Sequence, residues 1–231
     1  MVISDSENFI FVHNPKCAGT SLRRALSIVD TRNDFYWMFH KLKGPFPDRD
    51  IKIDKAHMPL FMIERLFPDD YKLFFSYTTL IIVRHPIIRL VSAFNESIKN
   101  ENGLTQAEIR NAFEKYVEVR ISSGPLNFHT RHALRQCDMI FNNNKKIIDH
   151  IVKIEEPKAG LAELFISRPR IAKILDKSLN SALNITVNRE CFIPKNNVKK
   201  YINNLPSELL DGLYSYYEAD FSSLCYDRFE Y

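Results

Sequence analysis

At 231 residues, with 45% hydrophobic and 26% charged side chains, the chain can bury one full core and is neither disordered nor fibrous in composition. Its net charge of +4 is modest and unclustered, which suits an anionic ligand and argues against a nucleic-acid binder. The 4 cysteines (Cys17, Cys137, Cys191, Cys225) are far apart and form no CxxC pair, which argues against a zinc site or a disulfide framework.

The first strand is predicted over 9–13 (FIFVH), a short β-rich run that stops at Asn-Pro. Residues 21–28 then read as a helix with Leu22, Ala25 and Leu26 on one face. Weaker strands are expected at 36–39 and around 56–58. "PLFMIERLF" (59–67) reads as a short helix with a proline near its first turn and another just past its end. "YTTLIIVRHP" (77–86) is the second strong strand, and its continuous apolar core predicts a parallel strand buried on both faces. Pro86 opens a helix whose stripe is Ile87, Leu90, Val91, Phe94 and Ile98. A further helix is expected over 105–122, a third strand over 150–155, a helix from "LAELF" and a C-terminal helix over 207–217. No segment reaches the ~18 uninterrupted apolar residues of a membrane span.

Strands alternating with helices predict an α/β domain with a central, mostly parallel sheet flanked by helices, as a single domain over 1–231. In such sheets ligands bind beyond the C-terminal strand ends. The loops after His13 and after Val83 both fall there and are expected to share one crevice.

The loop "NPKCAGTSL" joins a strand to a helix and holds Lys16, Gly19, Thr20 and Ser21, in a chain with only 6 glycines. Backbone N–H groups, the helix dipole and Lys16 together make an anion site. Gly19 is expected to admit the anion closely, while Thr20 and Ser21 cap the helix and offer hydroxyls. A capped turn with a solvated lysine is the alternative. The loop is not a Walker A sequence, because Lys16 precedes the glycine, and Arg84 stands where an NTPase places a magnesium-holding aspartate. In "VRHPIIRLVSAF", Arg84 and Ser92 can converge on one phosphate.

Together these two segments, about 60 residues apart, resemble the motifs of the cytosolic-fold sulfotransferases, in particular the carbohydrate sulfotransferase family. "PKCAGTSL" is similar to that family's 5′-phosphosulfate loop and "VRHPIIRLVSAF" to its 3′-phosphate motif, R-x-P-x-x-R-x-x-S. "RHALRQCDMIF" resembles the H-x-x-x-Q stretch through His132 and Gln136, with Arg135 where proline is usual. "DHIVKIEEPKAGLAEL" resembles V-G-x-x-E-x-L without its glycine, and "YYEADFSSLCY" resembles the D-F-x-x-x-x-Y ending.

The resemblance implies a P-loop-like three-layer fold and a donor, 3′-phosphoadenosine 5′-phosphosulfate (PAPS), whose product is adenosine 3′,5′-bisphosphate, with no metal. It implies that Lys16, Cys17, Ala18, Gly19, Thr20, Ser21 and Leu22 surround the 5′-phosphosulfate and that Arg84 and Ser92 hold the 3′-phosphate. Lys16 then meets the leaving charge, and His57, in "DKAHMPL", is the general base, with Asp54 and His132 as fallbacks. His129 and His132 fall on the acceptor side, and the acceptor is an alcohol on a saccharide. Cys17 reads as a small filler, and Arg89 is expected to pair with Glu96 or another carboxylate. If Met1 is the native start the protein is cytoplasmic; otherwise it is the soluble catalytic part of a Golgi-type enzyme. A P-loop kinase or NTPase, and a non-catalytic nucleotide binder of the same fold, are the rival readings.

Overall fold

The computed structural model describes residues 1–29, 39–42, 51–124, 127, 129–186 and 192–229, with backbone alone at 39–42, 51–55 and 183–186. The chain forms β1 (Val2–Ser4), β2 (Phe9–Val12), α1 (Gly19–Leu26), β3 (Phe39–Leu42) and β4 (Ile51–Asp54). Next come α2 (Leu60–Leu66), α3 (Pro68–Leu73), β5 (Thr78–Val83), α4 (Pro86–Ser97) and α5 (Gln106–Ser122). Strands β6 (Phe141–Asn142), β7 (Lys145–Lys146) and β8 (His150–Lys153) follow. Helices α6 (Pro157–Ser167), α7 (Pro169–Thr186), α8 (Val198–Asn203), α9 (Ser207–Tyr216) and α10 (Glu218–Leu224) come last. Among the described residues no helix is long and apolar enough to cross a membrane.

These elements sort into two compact units, Met1–Arg84 with Asp138–Asn188, and His85–Cys137 with Arg189–Tyr231. The first is built on a sheet of order β1-β2-β5-β8, in which β2, β5 and β8 run parallel and β1 is an antiparallel edge. The continuous apolar runs explain this arrangement. Phe9, Ile10, Phe11, Leu80, Ile81 and Ile82 are all buried, so both sheet faces are covered, as parallel strands require. Phe9, Phe11, Leu80, Ile82 and Val152 pack with Leu22 and Leu26 of α1, Leu161 and Leu164 of α6, and Leu175 and Leu179 of α7. Thr79 and Asp149 fix the β5–β8 register reciprocally: Thr79 Oγ1 donates to Asp149 Oδ2 at 3.0 Å, and the Asp149 N–H donates to Thr79 Oγ1 at 2.8 Å.

The strand expected around 56–58 is instead a 3-10 turn, Lys55–His57, and the strand ends one step earlier, at Asp54. Alanine favours a strand weakly, and the chain must turn here to enter α2, whose N-cap is Pro59. Of the 36–39 candidate, residues 36–38 lie outside the described residues, and Phe39 opens β3, which pairs antiparallel with β4.

The second unit is helical. The α4 stripe Ile87, Leu90, Val91 and Phe94 packs with Ile109, Phe113 and Val117 of α5, Tyr201 and Ile202 of α8, Leu213 of α9 and Phe221 of α10. Helix α5 begins at a capping box: Glu108 N–H donates to Thr105 Oγ1, and Thr105 N–H donates to Glu108 Oε2 at 2.8 Å. These bonds hold the exposed Glu108 carboxyl below its usual range.

One loop of this unit, residues 131–137, is gripped by three fully buried side chains. Arg89 Nη1 donates to the His132 carbonyl at 2.9 Å, and Nη2 to the Leu134 carbonyl. Tyr217 Oη donates to the Ala133 carbonyl at 2.5 Å. Asp220 accepts the N–H groups of Gln136 at 2.9 Å and Cys137 at 2.8 Å. Of the expected carboxylate partners of Arg89, Glu96 does not pair with it, whereas the buried Asp220 lies within reach of its charge. Glu96 is two helical turns on, roughly 10 Å along the axis, and pairs with Lys99 at 2.6 Å. Burial pushes the Asp220 carboxyl up, opposed first by the Arg89 charge and then by the two backbone N–H groups.

Arg89→Met should therefore cost about 3–5 kcal/mol, because it leaves a buried carboxyl uncompensated and two carbonyls without their donor. The sign with pH follows. A carboxyl whose folded pKa is raised contributes stability in acid, where it is protonated in both states, and loses it as pH rises through the folded value. Removing Arg89 raises that value further. Denaturant unfolding should show the variant's deficit growing from acid toward neutral pH; a pH-independent deficit would remove Asp220 from the account.

Candidate active site

The first strand-end loop is shaped by polar residues buried in the first unit. After Val12 the chain leaves the sheet through His13 and Asn14, which are 4% and 1% exposed. Asn14 Nδ2 donates to the Ile82 carbonyl at 3.0 Å and ties the loop to β5. Lys16 and Ala18 then adopt left-handed backbone, with φ of 65° and 60°, which is costly for residues with a Cβ. Left-handed residues alternating with ordinary ones turn successive N–H groups toward one side, the geometry of an anion-binding nest. Cys17 is buried with its Sγ 3.5 Å from the Pro15 carbonyl, in keeping with a filler role.

Helix α1 follows from Ala18 as N-cap, and no side chain caps it. Here the expectation for Thr20 and Ser21 is corrected. They stand at the second and third helical positions, past the place from which a hydroxyl bonds first-turn amides. Thr20 is exposed and Ser21 half-buried. The first-turn amides are thus left without a side-chain cap, at the positive end of the helix dipole and next to Lys16.

The reason for glycine at 19 also differs from the expectation. A Cβ there would lie 1.8 Å from His13 Cδ2 and 2.0 Å from His13 Nε2, so the imidazole already fills the space. The close approach that Gly19 permits is that of a protein side chain.

The second strand-end loop meets the first because β2 and β5 are parallel neighbours, with Val12 paired to Ile81. Arg84 directly follows β5 and is half-buried, and its Nη1 donates to the Lys16 carbonyl at 3.3 Å. The two loops do share one neighbourhood, through Arg84 and Lys16.

His57 ends the 3-10 turn before α2 and is half-buried. Its Nδ1 lies 3.2 Å from the His13 carbonyl, and the two imidazole centroids are 4.3 Å apart at 62°. The structure therefore brings together Lys16, residues 17–22, Arg84 and His57 in the first unit. Ser92, His129 and His132 belong to the second unit. Ser92 is half-buried on α4, and His129 is exposed with its N–H on Asn127 Oδ1 at 3.0 Å. His132 is half-buried, its carbonyl held by Arg89. Of Asp54 only the backbone is described. His13, which the sequence marks only as a histidine flanking the first loop that packs or caps there, packs against Gly19 and His57.

A central parallel sheet, a βα turn whose first helical amides carry no side-chain cap, and an arginine at the next strand end define a P-loop-like α/β protein. The chain belongs to the Sulfotransferase family, whose family model matches residues 1–227. It is thus a transferase of the sulfotransfer class. Comparisons with curated proteins and with solved structures gave no match.

Proposed function

We propose that residues 1–231 act as one catalytic domain that moves the sulfuryl group of PAPS to an acceptor hydroxyl on a carbohydrate. The observation that carries the reading is the bond from Arg84 to the Lys16 carbonyl, which brings the guanidinium to the loop that leads into the uncapped start of α1. This donor set fits a phosphosulfate: backbone amides for a terminal anion, an ammonium for its bridging oxygen, and a planar fork for a second phosphate.

PAPS, when bound, supplies a sulfuryl group on a good leaving phosphate. The chain's own residues then have separate tasks. The amides of residues 18–22 and Lys16 hold the 5′-phosphosulfate and meet the charge that develops as the S–O bond breaks. Arg84, with Ser92 as hydroxyl partner, takes the 3′-phosphate and distinguishes PAPS from donors lacking it. His57 Nε2 accepts the proton of the acceptor hydroxyl as its oxygen bonds to sulfur. Adenosine 3′,5′-bisphosphate leaves with the electron pair. His129 and His132 are assigned to the acceptor side.

The test is ligand binding in the presence of a chelator. Adenosine 3′,5′-bisphosphate should raise the melting temperature, since a ligand of the native state stabilises by mass action, and AMP should do so far less. Arg84→Ala should weaken bisphosphate binding at least ~10-fold, the cost of one charged hydrogen bond. Equal stabilisation by the two nucleotides, or an Arg84→Ala protein that binds normally, would remove the 3′-phosphate assignment.

A further inference from the structure

His13 touches both halves of the proposed chemistry. Its imidazole occupies the place that a side chain at 19 would take, with Cδ2 and Nε2 at 1.8 Å and 2.0 Å from that Cβ position, so it is lodged against the first turn of the donor-loop helix. The same ring meets His57 edge-on at 4.3 Å, and Phe11 stacks with it at 6.4 Å and 21°. Its carbonyl is 3.2 Å from His57 Nδ1.

A carbonyl oxygen only accepts, so the hydrogen of this bond is on His57 Nδ1. In a neutral imidazole that leaves the lone pair on Nε2, and the partner of one ring nitrogen decides the state of the other. Base catalysis needs that lone pair on the nitrogen that faces the acceptor. It also needs a fixed distance between base and donor, since small misplacements cost much of the rate. The His13 main chain meets the first need. Its ring, wedged between Gly19 and His57, meets the second.

We propose that His13 is a positioning residue: its carbonyl selects the Nδ1–H tautomer of His57, and its ring fixes the spacing between that base and the donor loop. This rests on reading His57 as the base, and His13 itself is given no contact with donor or acceptor.

The tautomer can be read without an acceptor. In the full chain labelled with 15N, at about pH 8, above the ordinary histidine range, long-range 1H–15N spectra report which ring nitrogen is protonated. His57→Gln identifies the His57 signals. Wild type should show a protonated Nδ1 and a bare Nε2, opposite to the tautomer that predominates for free histidine in water; a protonated Nε2 overturns the proposal. His13→Phe keeps both ring and carbonyl and should keep the tautomer. His13→Ala keeps the carbonyl but empties the space between Gly19 and His57, and its His57 signals should move toward the averaged shifts of a free imidazole. If His13 merely fills the core, His13→Ala lowers the melting temperature and leaves the tautomer unchanged, which also overturns the proposal. Should His13→Ala fail to fold, wild type and His13→Phe decide the matter. Bisphosphate binding on the same samples separates the two readings. Binding with the wrong tautomer defeats the His13 proposal alone, whereas no binding defeats the donor assignment whatever the tautomer.

Discussion

Lys16→Ala is expected to lower kcat by about 10²–10³ while the affinity for adenosine 3′,5′-bisphosphate stays within a few-fold of wild type. Many donors share the ground-state work of holding the phosphosulfate. The first-turn amides of α1 lack a side-chain cap and lie at the positive end of the helix, where the proposed anion would sit. The ammonium contributes most when charge gathers on the bridging oxygen as the S–O bond lengthens, and a loss felt chiefly there appears in kcat. The backbone supports this view. A non-glycine residue held at φ 65° is retained against its intrinsic cost, and its carbonyl is fastened by Arg84 at 3.3 Å. Transfer of labelled sulfuryl groups to an acceptor found by screening glycans, lipids and small alcohols measures kcat, and calorimetry measures bisphosphate affinity. A variant with wild-type kcat and only a raised KM would make Lys16 a binding residue.

The features legible in the sequence are those whose cause is local. The buried run Leu80–Val83 announces a parallel strand by being continuously apolar, and the Thr105–Glu108 capping box announces the start of α5 within four residues. The strand-to-helix junction at 13–19 is legible for the same reason: a β-rich apolar run that stops at Asn-Pro marks the strand's end locally. The features that escaped depend on partners distant in the chain. Nothing near Arg89 signals that it will donate to carbonyls more than 40 residues on, and a helix-borne arginine with a glutamate two turns away reads naturally as an ion pair. Gly19 was legible as a required glycine but not for its reason, because the obstacle is His13, brought there by the turn itself. Likewise β1 has three residues, too few for a period, and forms because the edge of β2 is available to pair with it.

His57→Ala should be as damaging as the loss of Lys16 or more so, with turnover falling by ~10²–10⁴ and bisphosphate affinity near wild type. An alcohol attacks sulfur poorly while it keeps its proton, so the proton must leave as the O–S bond forms. The imidazole has the means to take it: Nδ1 is engaged by the His13 carbonyl at 3.2 Å, so the neutral ring offers its lone pair at Nε2. The turn Lys55–His57 sets this ring beside the residue that packs on the donor-loop helix, within the same unit as Lys16 and Arg84. Donor affinity should be spared because the proposed phosphate ligands are the loop amides, Lys16 and Arg84, none of which His57 supplies. Wild-type kcat/KM should fall on acidification as the lone pair is protonated, and His57→Ala should lack that limb. Asp54 and His132 are the other candidates. A His57→Ala protein that keeps most of its turnover and its acid limb would move the base elsewhere. His132 is then the next residue to change, because its half-buried side chain sits on a loop fixed by Arg89, Tyr217 and Asp220.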